Sequence, residues 1–178
     1  MDSKTRSITF SAVLGAAYAV LTVVLAPISY GSLQMRVSEA LCVMPFFIPG
    51  SAWGLCVGCV LANLINGNIF DVIFGSLATL FAGFCTAAVG KRSRSAGAAA
   101  LACLMPVIFN AVVVGAVITA AYNGMNIFAH LGIFALNAAQ IAVGEALVMY
   151  LFGFPLIRYL PQKKFFRDFV EKSEGGRL

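Results

Sequence analysis

Residues 26–41 read APISYGSLQMRVSEAL, a short polar stretch between two apolar runs, with Arg36 and Glu39 one helical turn apart. Its surroundings make it decisive. From residue 7 to residue 90 the only other acidic or basic side chain is Asp71; from 95 to 157, apart from the lone His130, there is only Glu145. Soluble domains carry about 25% charged residues. This chain carries 11%, is 61% apolar and has a mean hydropathy of +0.93, which is the composition of an integral membrane protein. A charge at the centre of a membrane helix costs about 2.5 to 3.5 kcal/mol on insertion scales, so each one retained needs a reason.

Length sets the number of crossings. A hydrocarbon core about 30 Å thick takes about 20 helical residues per span, so residues 8–157 have room for five or six spans with short connections. The runs are continuously apolar, without the alternation of membrane strands, which points to helices and not to a barrel. Residues 1–178 therefore read as a single all-α membrane domain, ending in a basic tail over 161–178. The net charge of +5 does not imply nucleic acid, because eleven of the twelve Lys and Arg residues lie in three blocks beside apolar runs: Lys4 with Arg6, Lys91 with Arg92 and Arg94, and the tail. That is the positive-inside pattern. The basic start followed by an apolar run resembles a signal peptide, yet the run continues to Ala26 and reads as a retained first span. The five cysteines all lie within apolar runs as small hydrophobes. Cys56-x-x-Cys59 is half of a metal motif with no second pair or nearby His, so no metal and no cofactor is expected.

Along the chain, the first span is expected over residues 8–26, with Ala12 and Ala16 forming an AxxxA row. Ser11, Gly15 and Ala19 form an adjacent small-residue row, of the kind that lets another helix approach closely. Pro27 ends the span, and the loop 28–35, with Tyr30, Gly31, Ser32 and Gln34, is long enough to fold over a cavity mouth. Spans two (36–49) and three (51–65) are short and separated by Pro45 and Pro49. They count as two, because the basic N-terminus and the block at 91–94 share a side only if an even number of spans lies between them. Span four follows Asp71 and runs to about residue 89, with Asn68 as its expected cap. Span five covers 98–122 with Pro106 at an expected kink, span six covers 132–154, and the amphipathic tail is expected to lie along the inner membrane surface. His130 reads as a loop residue. Six spans with both termini cytoplasmic is the expected architecture.

This topology assigns a depth to each polar group. Arg36, Glu39, Asn63, Asn66 and Asp71 fall at the outer side, Asn110 near the middle of span five, Asn137 and Gln140 in the outer half of span six, and Glu145 near its centre. The last three lie within about 140° at 100° per residue. The inner halves are almost purely apolar, which describes a cavity open outward and closed below. Arg36 and Glu39 also suit a local ion pair worth about 0.2 to 0.5 kcal/mol, whereas intramembrane charges generally mark a ligand or ion path. Glu145 has no basic partner in spans five and six. A ligand donor pair, a partner Asn or protonation has to satisfy it. Asn110, Asn137 and Gln140 equally suit interhelical hydrogen bonds.

In this order, APISYGSLQMRVSEAL, LCVGCVLANLI, DVIFGSLATL, PVIFNAVVVG and LNAAQIAVGEAL resemble the queuosine-precursor transporter family, QueT, over about residues 8–160. The resemblance implies an S component, the six-helix substrate-binding subunit of an energy-coupling factor (ECF) importer in the cell membrane, working with a transmembrane coupling protein and two cytoplasmic ATPases. It implies a 7-deazaguanine as substrate: 7-cyano-7-deazaguanine, its aminomethyl analogue or queuine. The chain lacks a GxxxxGK[ST] phosphate loop, so a partner has to hydrolyse ATP. Within the resemblance, Ala12 and Ala16 match the face that docks on the coupling protein. A guanine-like edge presents two adjacent N–H donors suited to a carboxylate. That assigns Glu145 or Glu39 to the edge, Asn110, Asn137 and Gln140 to other ring atoms, Arg36 to the ring oxygen or to locking the lid, and Asp71 to a cationic aminomethyl group; Gln34 and Asn63 complete the candidate set.

Two other readings compete: an S component for a different vitamin-like molecule, and a small ion-coupled secondary transporter that needs no ATPase. An enzyme is disfavoured, since there is no Ser/His/Asp set and no pair of acids in metal spacing.

Overall fold

A computed structural model describes residues 2–29, 35–67 and 69–174, and among these all regular structure is helical. Helix α1 spans Ser3–Val24, and a short helical turn follows over Ala26–Ser29. Helix α2 is Val37–Phe46 and α3 is Ser51–Asn66. Helices α4 (Asp71–Arg92), α5 (Ala96–Tyr122) and α6 (Leu131–Gln162) are long, and α7 covers Lys164–Glu174. Helices α1, α4, α5 and α6 are long and apolar enough to cross a membrane; α2 and α3 are apolar but shorter. Together these make a helical membrane protein.

The helices alternate in direction. Gly50 lies beside Ser7, Gly90 beside Phe46, and Phe47 stacks edge-on against Phe166. These contacts gather the start of α1, the end of α2, the start of α3 and the end of α4 at one end of the bundle. The Lys and Arg blocks sit there, while the connections at the opposite end, residues 25–35, 67–70 and 123–130, contain no Lys, Arg, Asp or Glu.

Helix α2 is wound as a 3₁₀ helix throughout its ten residues, well beyond the three or four usual for that geometry. At about 2.0 Å rise per residue it reaches about 20 Å, against about 15 Å for the same residues as an α-helix. A 3.0-residue turn also eclipses side chains three apart, so Glu39 and Cys42 stack above one another and Arg36 stands at the head of the row. Pro45 lies inside the last turn, and the helix stops short of the expected boundary at residue 49. The run ends at Phe46, whose carbonyl accepts from Arg94 Nη1.

Helices α1 and α3 touch backbone to backbone. A Cβ placed on Gly54 would collide with the Ser11 carbonyl, one on Gly58 with the Gly15 carbonyl, and one on Gly15 with the Gly54 carbonyl. The Ser11, Gly15 and Ala19 row is thus used inside the chain, against a GxxxG pair at Gly54 and Gly58, and all five are buried. Ala12 and Ala16, one position on, are exposed.

Helix α5 starts from Ser95, whose hydroxyl accepts from the Ala98 amide at 3.2 Å, the usual way to satisfy a first-turn donor. Pro106 sits within the helix. Helices α5 and α6 run antiparallel, tied by Asn137 to Thr119 near one end, Asn110 to Glu145 in the middle and Tyr150 to the Ala100 carbonyl lower down. One turn of each long pairing helix is widened to π geometry, at Asp71–Gly75, Ile118–Tyr122 and Met149–Gly153, a deviation frequent at functional positions.

Two boundaries differ from the sequence expectation. Helix α1 begins at Ser3, where the Ser3 hydroxyl donates to the Ser173 carbonyl. Helix α6 runs on to Gln162 through Pro155 and Pro161, because the first lies at the N-terminal turn after the π segment and the second in a closing 3₁₀ turn. The tail helix α7 turns its apolar face to the bundle: Phe166 and Val170 are buried, and Phe169 lies 5.3 Å from Phe10 between ring centres. The expected Asn68 cap lies outside the described residues.

Candidate functional site

The intramembrane charges converge. Arg36, Glu39, Asp71 and Glu145, from α2 and its leading residue, α4 and α6, are between 1% and 5% exposed, and Asn63 and Asn110 join them in the interior. Burial of this kind is tolerated only with partners, and the partners are specific.

Arg36 Nη2 lies 3.7 Å from Asp71 Oδ2. The ion pair therefore joins α2 to α4 across space, in place of the local Arg36–Glu39 pairing that the spacing also allowed. Asn63, on α3, donates to the backbone carbonyl of Asp71 at 2.9 Å and so holds the first, widened turn of α4 against α3. Glu39 takes two neutral donors: the Tyr18 hydroxyl on Oε1 and the Cys42 thiol on Oε2 at 2.9 Å. Beside it Thr22 and Ser38 share a hydrogen bond of 2.6 Å, so α1 and α2 are joined by two polar contacts on one face.

Of the three ways left open for satisfying Glu145, a partner Asn is the one seen. Asn110 Nδ2 donates to Glu145 Oε1 at 2.8 Å. These two, with Arg36, Val114 and Ile141, enclose a cavity of about 10 Å³. That is about one water molecule, whereas small-molecule pockets measure about 300 to 1,000 Å³. The open cavity expected from the sequence is not found around Glu145 among the described residues, where Asn110 holds the carboxylate. A larger recess of about 670 Å³ between α4 and α5, walled by Phe70, Phe74, Val113, Val117 and Ile127 among others, is lined by apolar side chains alone.

The remaining sequence candidates separate. Asn137 is half-buried and donates to Thr119 Oγ1 at 3.0 Å, an interhelical bond between α5 and α6. Gln140 is exposed: it stands at the edge of the 140° polar arc, and the face of α6 packed on α5 is narrower than that arc. Asn66 is likewise exposed at the end of α3. Gln34 lies outside the described residues, as does most of the loop expected to cover the site. His130 is an exposed loop residue before α6, its ring Nδ1 3.2 Å from the Asn126 carbonyl. No group of three or more His, Cys, Asp or Glu side chains suited to a metal occurs among the described residues. Tyr18, Thr22 and Ser38 went unread in the sequence, and Cys42, read there as a small hydrophobe, donates its thiol to Glu39. Tyr18 and Thr22, four apart on the small-residue side of α1, were the signal available.

The fold is thus a bundle of membrane helices with charge and amide groups brought together in its interior around a small cavity. The model of the QueT transporter family matches residues 8–162, and the chain belongs to that family. It is 40% identical over 80 residues to the queuosine precursor transporter QueT of Lactococcus lactis subsp. cremoris (strain MG1363), an alignment covering 44% of this chain and 47% of that protein. The chain thus aligns with about half the length of this relative. No solved structure matches.

Proposed function

We propose that the protein is the substrate-binding S component of an ECF-type importer and takes up a queuosine precursor, a 7-deazaguanine. The observation that carries the reading is the Asn110–Glu145 bond at 2.8 Å beside Arg36, in the interior of a member of the QueT transporter family. A carboxylate held there by one neutral amide is an acceptor ready to exchange that amide for the paired N1–H and N2–H donors of a guanine-like edge, in the bidentate manner that makes charge-assisted bonds strong. Arg36, whose guanidinium cannot deprotonate, stands across the same cavity and donates to the ring oxygen. The cavity widens as Asn110 leaves Glu145. Glu39 then serves as a second carboxylate within the polar core, and Asp71 keeps Arg36 in place. Asn63, Asn137 and Gln140 lie outside the cavity lining; Asn63 and Asn137 fix helices, and Gln34 belongs to the covering loop.

The orientation follows from charge. With the Lys and Arg blocks at one end and none at the other, six spans place both termini, the 161–178 tail and the 91–94 block in the cytoplasm, in the plasma membrane. The short reach of α2 is compatible with this because a helix buried in protein need not match the bilayer by itself. Exposed Ala12 and Ala16 form the surface on which a transmembrane coupling protein closes, and two cytoplasmic ATPases supply the energy.

The test is equilibrium binding of the purified chain in detergent to the nitrile, aminomethyl and queuine forms, with guanine and riboflavin as controls, together with affinity purification from its native membrane. Submicromolar binding of one deazaguanine with guanine rejected, and ATPase subunits retained on the column, is the expected result. Binding of riboflavin alone reassigns the cargo. Uptake that collapses with the ion gradient and no ATPase partner overturns the S-component reading in favour of a secondary transporter.

A further inference from the structure

Arg36, which lines the small cavity beside Glu145, is tied to α3 by a chain of contacts. Its Nη2 lies 3.7 Å from Asp71 Oδ2, and Asp71 opens the π turn Asp71–Gly75 at the start of α4. The opening amides of a helix have no acceptor within it, and π winding is rare, so the Asp71 carboxylate is placed by what grips this turn from outside. The grip comes from α3. Asn63 Nδ2 donates to the Asp71 carbonyl at 2.9 Å and lies 3.4 Å from Cys59 Sγ, one turn back on its own helix. A Cβ built on Gly75, at the far end of the turn, would stand 3.5 Å from the same nitrogen. There the Thr79 hydroxyl lies 3.1 Å from the Gly75 carbonyl and 3.6 Å from Cys59 Sγ. Asn63, Cys59 and Thr79 are each at most 1% exposed.

We propose that Asn63 is a positioning residue for substrate recognition. It does not line the cavity. By holding the Asp71 carbonyl it sets the direction of the Asp71 carboxylate, and that carboxylate holds the Arg36 guanidinium toward the cavity. The inference rests on the proposal above that Arg36 donates to the ring oxygen of a 7-deazaguanine. A hydrogen bond weakens steeply as its angle closes, and the rigid fork of an arginine makes the placement of its head matter more than that of a flexible ammonium. Freed from Asn63, the π turn lets Asp71 and then Arg36 drift, and the contact to the ring oxygen is lost first. Glu145 is held separately, by Asn110, so its contact with the N–H edge of the substrate persists.

Equilibrium binding by the purified full chain in detergent tests this, with 7-cyano-7-deazaguanine and its thio analogue, in which sulfur replaces the ring oxygen, as the two ligands. Both present the same N–H edge, and sulfur is the weaker acceptor. The parent should prefer the oxo form about tenfold, the worth of a hydrogen bond to a charged group. Asn63→Leu, of similar size, should bring the two affinities within about twofold of each other by weakening the oxo form alone. Thr79→Val keeps its shape and loosens the other end of the turn; it should move the preference in the same direction and by less, and it reports on the clamp if Asn63→Leu does not fold. Thr86→Val removes a different buried bond of α4, to the Ala102 carbonyl at 3.3 Å, and should leave the preference at the parent value. A parent that prefers the oxo form, with Asn63→Leu keeping that preference or losing no more of it than Thr86→Val, overturns this proposal alone; equal weakening of both ligands counts as keeping it. A parent that binds neither ligand, or both equally, refutes the substrate reading and this proposal with it.

Discussion

Glu145→Gln is the most informative single change. The exchange swaps one carboxylate oxygen for an amide of the same shape, and the remaining carbonyl still accepts from Asn110, now 2.8 Å from Oε1. The fold should therefore survive. At a site 2% exposed the variant even removes a buried charge, so its melting temperature in detergent should equal or exceed that of the parent. Substrate binding should behave differently. A hydrogen bond to a charged group contributes about 1.5 to 3 kcal/mol, and Gln both neutralises the acceptor and turns a donor toward one of the substrate's own N–H groups. The expected loss is at least one such bond, or about 10- to 150-fold in Kd. Titration calorimetry of parent and variant with the tightest-binding deazaguanine reads this directly. A variant as stable as the parent whose Kd is unchanged would refute the assignment of Glu145 to the substrate edge, and would leave Asn110–Glu145 as a helix-pairing contact of α5 and α6.

Other outcomes follow from the packing. Gly54→Ala drives a Cβ onto the Ser11 carbonyl, where neither partner is a side chain that can swing away; a destabilisation of about 1 to 3 kcal/mol or more is expected, read as a lowered melting temperature. Tyr18→Phe removes the hydroxyl from Glu39 and leaves a buried carboxylate with the Cys42 thiol. A loss of about 1 to 3 kcal/mol is expected in denaturant or thermal unfolding, whereas Tyr122→Phe, half exposed to begin with, should be silent. Ala12→Trp projects from an exposed face of α1, so substrate binding by the isolated chain should stay at the parent value while co-purification of the coupling protein is lost. Unimpaired co-purification would move the docking face elsewhere. Ser95→Ala removes the acceptor for the Ala98 amide and should cost about 1 kcal/mol of stability.

Much of this molecule is legible in one dimension because the bilayer constrains it so strongly. Runs of apolar residues at a fixed length, basic blocks confined to three places and prolines between runs are enough to mark the helices, since lipid leaves a chain few alternatives to satisfying its own backbone. The polar exceptions stand out for the same reason. Arg36, Glu39, Asp71, Asn110 and Glu145 are conspicuous in sequence only because everything around them is apolar, and all five are buried.

Their partners were a different matter. Two readings of Arg36 were open from spacing: Glu39 at three residues, or something distant. The choice of Asp71 depends on α2 and α4 lying side by side, and on a 3₁₀ winding that stacks Glu39 over Cys42 and under Tyr18. Neither is encoded in local propensity, because 3₁₀ hydrogen bonds have poorer geometry and a ten-residue run of them depends on its neighbours as well. Gln140 shows the converse. Periodicity put it within the polar arc of α6, but only the position of α5 decides where that arc stops being buried. The two small-residue rows of α1 are likewise indistinguishable in sequence, each a repeat of four. What assigns Ser11 and Gly15 to the interior and leaves Ala12 and Ala16 exposed is Gly54 and Gly58 on α3, far along the chain, whose missing Cβ atoms let that helix come to backbone contact. Composition and length thus determined that the chain is a helical membrane protein and which of its residues are exceptional. The tertiary structure alone decided which exceptions meet, because close approach in a bundle depends on both partners at once.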